Sequence, residues 1–289
     1  MRALALVTAL AVLGYAAICA AVLLGQRHLL YMPQLTRADA GDTEVALDRG
    51  DVVLRGWRVG PEHGRPLLYF GGNAERVEAN RDAFARWFPQ HRVTLLAYRG
   101  YGASEGAPGA ARLKADALAL YDDVADGYDG PIDVMGRSVG SGIASHVAAH
   151  RPVARLALIT PFEDLAEVAR RHYRWLPVRL LLREHYAPAT DLAAFRGQTL
   201  IVSADDDTVV PAVHAERLAA ALPVPPSTVR IPGAGHNDLQ QAPTYGAALS
   251  AFFNSVDAAP RAQRARSGTA RQAVADAALD TAHRRLPGG

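Results

Sequence analysis

Apolar and polar positions fall into three regimes along the chain. Residues 3–25 read ALALVTALAVLGYAAICAAVLLG and carry no charge. About 20 consecutive apolar residues are enough for a helix to cross the hydrocarbon core of a bilayer. The stretch therefore predicts one transmembrane helix, closed by Arg27 and His28. It is longer than the roughly 7–15 apolar residues of a cleaved signal peptide, and its A-x-A-like sites lie inside the apolar run rather than after it. An uncleaved N-terminal anchor over residues 1–25 is expected.

The second regime is rhythmic. Residues 44–47 and 52–59 alternate, which predicts an antiparallel hairpin turned by Arg49-Gly50. Continuous apolar runs follow: PLLYF at 66–70, VTLLAY at 93–98, IDVM at 132–135, RLALIT at 155–160, TLIVSA at 199–204 and STVRI at 227–231. Runs without alternation suit strands buried on both faces of a parallel sheet. Helical spacing separates them at 75–88, 110–125, 139–149, 211–221 and 240–253. This alternation predicts an α/β class with a mostly parallel, doubly wound sheet over residues 26–256. The interval at about 161–196 is too long for one crossover, and Pro177 divides it into two helical pieces. A helical cap insertion is expected there, covering the carboxyl ends of the strands where such sheets bind ligands.

In the third regime, residues 257–289, the pattern lapses into an Ala- and Arg-rich sequence with few large apolar groups. Such a segment buries too little surface to offset its ordering entropy, so a disordered, solvated tail is expected.

Composition changes this picture little. The net charge of +2 is nearly balanced, and the basic residues are spread along the chain. No nucleic-acid partner is expected. The single cysteine, Cys19, excludes an intrachain disulfide. His146 and His150 have metal-ligand spacing but no glutamate between them at the place a zincin requires, so no metal is expected.

Candidate chemistry lies in two copies of G-x-S-x-G, centred on Ser104 and Ser138. A nucleophile elbow needs its serine on a sharp turn with a strand just before and a helix just after. The first N–H groups of that helix then face a developing oxyanion. Around Ser138 the strand IDVM ends just before Gly136, and a helix begins at Val139. Around Ser104 the strand ends near Tyr98, and EGAPG delays any helix. Ser138 is therefore the expected nucleophile and Ser104 a loop residue.

A serine hydroxyl needs a base, and in this arrangement the partners follow in the order acid, then histidine. His236 stands in PGAGHNDL after the last strand; His172, His185 and His214 are expected to be structural or on the surface. The acid is one of Asp205, Asp206 and Asp207, after the strand TLIVSA. The loop YFGGNAER and the helix start at Val139 are expected to supply oxyanion donors, from Gly72 or Asn73 and from Val139.

Taken together, these motifs resemble the α/β-hydrolase superfamily and, more narrowly, the BEM46-like membrane-anchored serine hydrolases. The resemblance runs from about residue 26 to 253. It is carried by QRHLLYMP, YFGGNAER, YRGYGASEG, GRSVG, DTVVP and GAGHNDL. Gly71 stands where histidine is usual in that group, and Ala97 where aspartate is common. The resemblance selects Asp207 as the acid, with Asp206 as runner-up. It implies an α/β-hydrolase fold and cofactor-free hydrolysis of acyl esters or thioesters by Ser138, Asp207 and His236. It also implies membrane localisation through the N-terminal helix and a small or lipid-like acyl substrate. A peptidase or amidase with the same three residues is the alternative, and a non-catalytic interaction protein on the same fold is a second.

Overall fold

In the computed structural model, residues 1–255 of the 289 are described; the expected tail lies outside them. The first helix, α1 (Arg2–Leu30), does not stop where the uncharged run stops. It continues through Gly25 and Arg27 as one element. Arg27 and His28 occupy its last turn, where cations favour the negative end of the helix dipole. Among the described residues there is one candidate membrane span, and it is this helix together with the residues just after it, Arg2–Leu35.

The expected hairpin forms from β1 (Val45–Asp48) and β2 (Val53–Val59), with Asp48 opposite Val53. Next come β3 (Arg65–Phe70), α2 (Arg81–Trp87), β4 (His91–Leu96), α3 (Ala110–Asp126), β5 (Ile132–Arg137), α4 (Val139–His150) and β6 (Val153–Ile159). After the cap come β7 (Gln198–Ala204), α8 (Ala212–Ala221), β8 (Ser227–Ile231) and α9 (Pro243–Asn254). The cap itself holds α5 (Leu165–His172), α6 (Val178–Leu181) and α7 (Pro188–Asp191). Pro177 separates α5 from α6, as a ring that cannot donate a helical hydrogen bond should.

The eight strands pair in the order β1-β2-β4-β3-β5-β6-β7-β8. β1, β2 and β4 pair antiparallel; every later pairing is parallel. The chain runs outward from β3 to β4 and then returns to place β5 on the other side of β3. The strand order thus reverses between β3 and β5, and Phe70 pairs with Gly136 at their carboxyl ends. Such a reversal opens a crevice above the sheet. The central strands are apolar on both faces, with Leu67, Leu68, Val93, Val134, Met135 and Leu158 fully buried. That burial explains why their sequences run continuously rather than alternating.

Candidate active site

Ser138 sits between β5 and α4 with φ 53° and ψ −120°. A non-glycine residue with positive φ is strained, and the surroundings hold it there. Its N–H donates to the Ile159 carbonyl at 2.9 Å. A Cβ on Gly140 would strike the carbonyl oxygens of Phe70 and Gly71, and one on Gly136 would strike the Gly140 carbonyl. The glycines of G-x-S-x-G are therefore required by close backbone approach on both sides of the turn.

The loop after β8 brings His236 back over this turn. Its Nε2 lies 3.0 Å from Ser138 Oγ, and its Nδ1 lies 2.6 Å from Asp207 Oδ2. Asp207 is buried and accepts from the Val209 and Val210 N–H groups at 2.9 and 2.7 Å through its other oxygen. Neighbouring acids point elsewhere. Asp205 pairs with Arg230 at 2.7 Å, and both Asp205 and Asp206 are exposed. A hydroxyl, an imidazole and a buried carboxylate thus form one hydrogen-bonded chain, contributed by the ends of β5, β7 and β8.

The donor loop after β3 departs from expectation at one residue. Gly72 lies beside Ser138, but its N–H donates to Glu75 Oε2 at 2.6 Å. It is therefore not free for an oxyanion. Asn73 borders the cavity over Ser138, as does Val139, the first residue of α4. The Val139 N–H belongs to the first turn of α4, whose amides have no intrahelical acceptor. Asn73 is fixed through its side chain, which accepts from the Met32 N–H at 3.1 Å and the Tyr101 hydroxyl at 2.7 Å.

Glu75 and Arg137 escaped the sequence reading. Arg137 donates to Glu75 at 3.1 Å and to the His236 carbonyl at 2.7 Å. Glu75 also accepts from the Tyr69 hydroxyl and the Asn80 amide at 2.6 and 2.8 Å. Burial alone would raise the Glu75 carboxyl; the Arg137 charge and these donors outweigh it and hold the group below its ordinary value. The only signal for either residue was an unexplained charge inside a motif, at R in GRSVG and E in NAER.

Ser104 has a different role. Its Oγ accepts from the Arg55 N–H and donates to the Ala97 carbonyl, each at 2.8 Å, and the residue is buried. It stitches the loop after β4 to β2. The His146 and His150 rings contact each other in a tilted arrangement, with His146 near Asp191, and buried His214 contacts Glu163 at 2.8 Å. His172 is exposed, as expected, with Nε2 2.9 Å from the Val209 carbonyl, and it also lines the cavity wall.

Above Ser138 the cavity measures about 560 Å³. Phe162, Leu165, Val168, Leu176 and Val178 give it an apolar lining from the cap side.

No family model matches the chain. An uncharacterized protein of Mycobacterium tuberculosis is 35% identical over 227 residues, covering 74% of this chain and 81% of that protein. The zebrafish (Danio rerio) lysophosphatidylserine lipase ABHD12 is 31% identical over 170 residues, covering 50% of this chain and 44% of the lipase. Among solved structures, an α/β-hydrolase enzyme from a Medee basin deep-sea metagenome library superposes with a TM-score of 0.60. It is 17% identical and covers 75% of this chain and 100% of that one.

Proposed function

Because this chain belongs to the α/β-hydrolase superfamily, we propose that it is a membrane-anchored serine hydrolase that cleaves acyl esters or thioesters. The observation that carries this reading is the unbroken chain from Ser138 Oγ through His236 to Asp207, set under an apolar cavity. Ser138 attacks the acyl carbonyl while His236 Nε2 takes the hydroxyl proton. Asp207 accepts from Nδ1, fixing the tautomer and stabilising the imidazolium that forms. The oxyanion lies against the N–H groups of Val139 and Asn73, and one such donor contributes about 2.7–4 kcal/mol to the transition state. His236 then protonates the leaving group. Water, deprotonated by the same imidazole, attacks the acyl-enzyme and releases the acid and the free serine.

Two observations support a lipid-like acyl group. The cavity is walled mostly by aliphatic side chains, and its volume lies within the roughly 300–1,000 Å³ typical of small-molecule sites. The zebrafish relative is named for hydrolysis of lysophosphatidylserine, an ester of a single acyl chain. This chain spans less than half of that relative's length, so the headgroup preference does not carry over. Anchoring by α1 is supported by its length and uninterrupted apolar face, with Leu4, Leu6, Val7, Leu10 and Leu13 all exposed.

The test is covalent labelling by a fluorophosphonate probe, followed by an ester and thioester panel across acyl lengths. Labelling is expected on Ser138 and is lost in Ser138→Ala. Labelling that persists in Ser138→Ala sinks the proposal.

A further inference from the structure

Helix α1 does not simply tether the domain. Val22, Gln26, Leu29 and Leu30 line the same cavity as Ser138, facing Val168 and Leu176 of the cap. Helix and cap are fastened along their length. Buried Gln26 donates to the Leu181 carbonyl at 3.1 Å and accepts from the Arg183 N–H at 2.7 Å. Arg27 pairs with buried Glu184 at 2.7 Å. About three helical turns earlier, the Tyr15 hydroxyl donates to the Trp175 carbonyl at 2.8 Å.

Spanning about 30 Å of hydrocarbon takes about 20 residues, nearly the whole uncharged run before Arg27. Tyr15 lies in the middle of that run. A cap that reaches Tyr15 therefore packs against the apolar run of α1 and not only its charged end, which seats the cap against the bilayer. Its outer surface suits that place. Tyr173, Trp175 and Leu180 are 53%, 56% and 83% exposed. Arg171, Arg174 and Arg183 are exposed beside them and make no ion pair among the described residues. Aromatic rings at the headgroup level and arginines reaching toward anionic lipid are how proteins seat in an interface. The rim of the cavity belongs to the same surface, since Leu29, Tyr173 and Val209 line it and remain exposed.

We propose that α1 forms one wall of the acyl-chain site, and that the cavity loads sideways from the leaflet that borders the cap. The occupant is a single acyl chain of a bilayer lipid, which slides between α1 and the cap without crossing water. This inference rests on the serine hydrolase reading and adds the route and the wall.

The experiment uses the full chain in vesicles of phosphatidylcholine and phosphatidylglycerol. Rates of labelling at Ser138 are compared for short- and long-alkyl fluorophosphonates. Val22→Trp and Leu29→Trp are expected to lower the long-to-short ratio at least about tenfold, the scale of discrimination that apolar pocket contacts supply. Leu6→Trp, the same change on α1 away from the cavity, should keep the parent ratio. In parallel, lipids brominated along the acyl chain should quench a component of tryptophan emission that Trp175→Phe removes. A ratio unchanged in both cavity variants, or a Trp175 that bilayer bromine does not reach, overturns the inference while leaving the hydrolase reading intact. Absence of any labelling at Ser138 in the parent protein overturns both.

Discussion

Arg137 donates to the main-chain carbonyl of His236 at 2.7 Å, although it directly precedes Ser138 and is 99 residues from His236 in sequence. Its other terminal nitrogen contacts Glu75, whose carboxylate takes the Gly72 N–H. One guanidinium therefore ties together the loops after β3, β5 and β8, so the loop bearing Asn73, the nucleophile turn and the histidine are positioned as a unit.

Breaking that unit should cost more than removing a surface charge. Arg137→Met leaves the Glu75 carboxylate buried and uncompensated, and losing one partner of a buried pair costs about 3–5 kcal/mol. Arg137→Lys keeps the charge but cannot reach both acceptors in fork geometry, so it should retain more stability than activity. Thermal unfolding alongside turnover separates the two effects. Equal turnover in parent protein and Arg137→Met would remove the positioning role.

Among the three acids, only Asp207 should matter to chemistry. Asp207→Asn is expected to drop turnover by about 10⁴, because the amide favours the wrong imidazole tautomer. Asp206→Asn, at an exposed position, should stay near the parent rate. Steady-state kinetics on a soluble short-chain ester reads both.

The second G-x-S-x-G makes an opposite pair of expectations. Ser104→Ala strands the Arg55 N–H and the Ala97 carbonyl inside the protein, at a cost of about 1–3 kcal/mol in unfolding free energy. Ser138 labelling should persist. Denaturant unfolding and probe labelling on one preparation check both.

Asn73 tests the link between the end of α1 and the donor loop. Asn73→Ala keeps its backbone N–H but loses the anchors to Met32 and Tyr101. A small displacement of a catalytic donor can cost about 10²-fold, so turnover should fall by about 10- to 100-fold. Tyr101→Phe removes one anchor and should fall less.

Stability should decline in acid through Glu75 and Glu184. For Glu184, burial works to raise the carboxyl, but Arg27, the Ala110 N–H and Tyr31 hold it below its ordinary 4.5. Glu75 is likewise held below 4.5. A carboxyl depressed in the folded state binds fewer protons there than in the unfolded chain. Its contribution is therefore complete above 4.5 and is lost as pH falls through the lower, folded value. Unfolding temperature measured from about pH 6 down to about pH 3 should fall, and Glu184→Gln should flatten part of that fall.

Much of the architecture was legible because it depends on local pattern. Continuous apolar runs marked the central strands, Pro177 marked the break between α5 and α6, and the strand-to-helix turn at Ser138 stood out from the glycine loop at Ser104. These features follow from hydrogen bonding and sterics within a few residues. Helix α1 runs on to Leu30, past the uncharged stretch that marks the expected anchor. Charge marks where apolar sequence stops, whereas the helix continues because the cap satisfies Gln26 and Arg27.

The sequence by itself determined the α/β order of elements, the serine at the elbow and the histidine that follows the last strand. Tertiary structure decided which acid faces that histidine, that Gly72 is claimed by Glu75, and that α1 walls the cavity. The reason is physical. Where a donor points, or which of three adjacent carboxylates is buried, depends on contacts between segments far apart in the chain, and no local pattern encodes those directions.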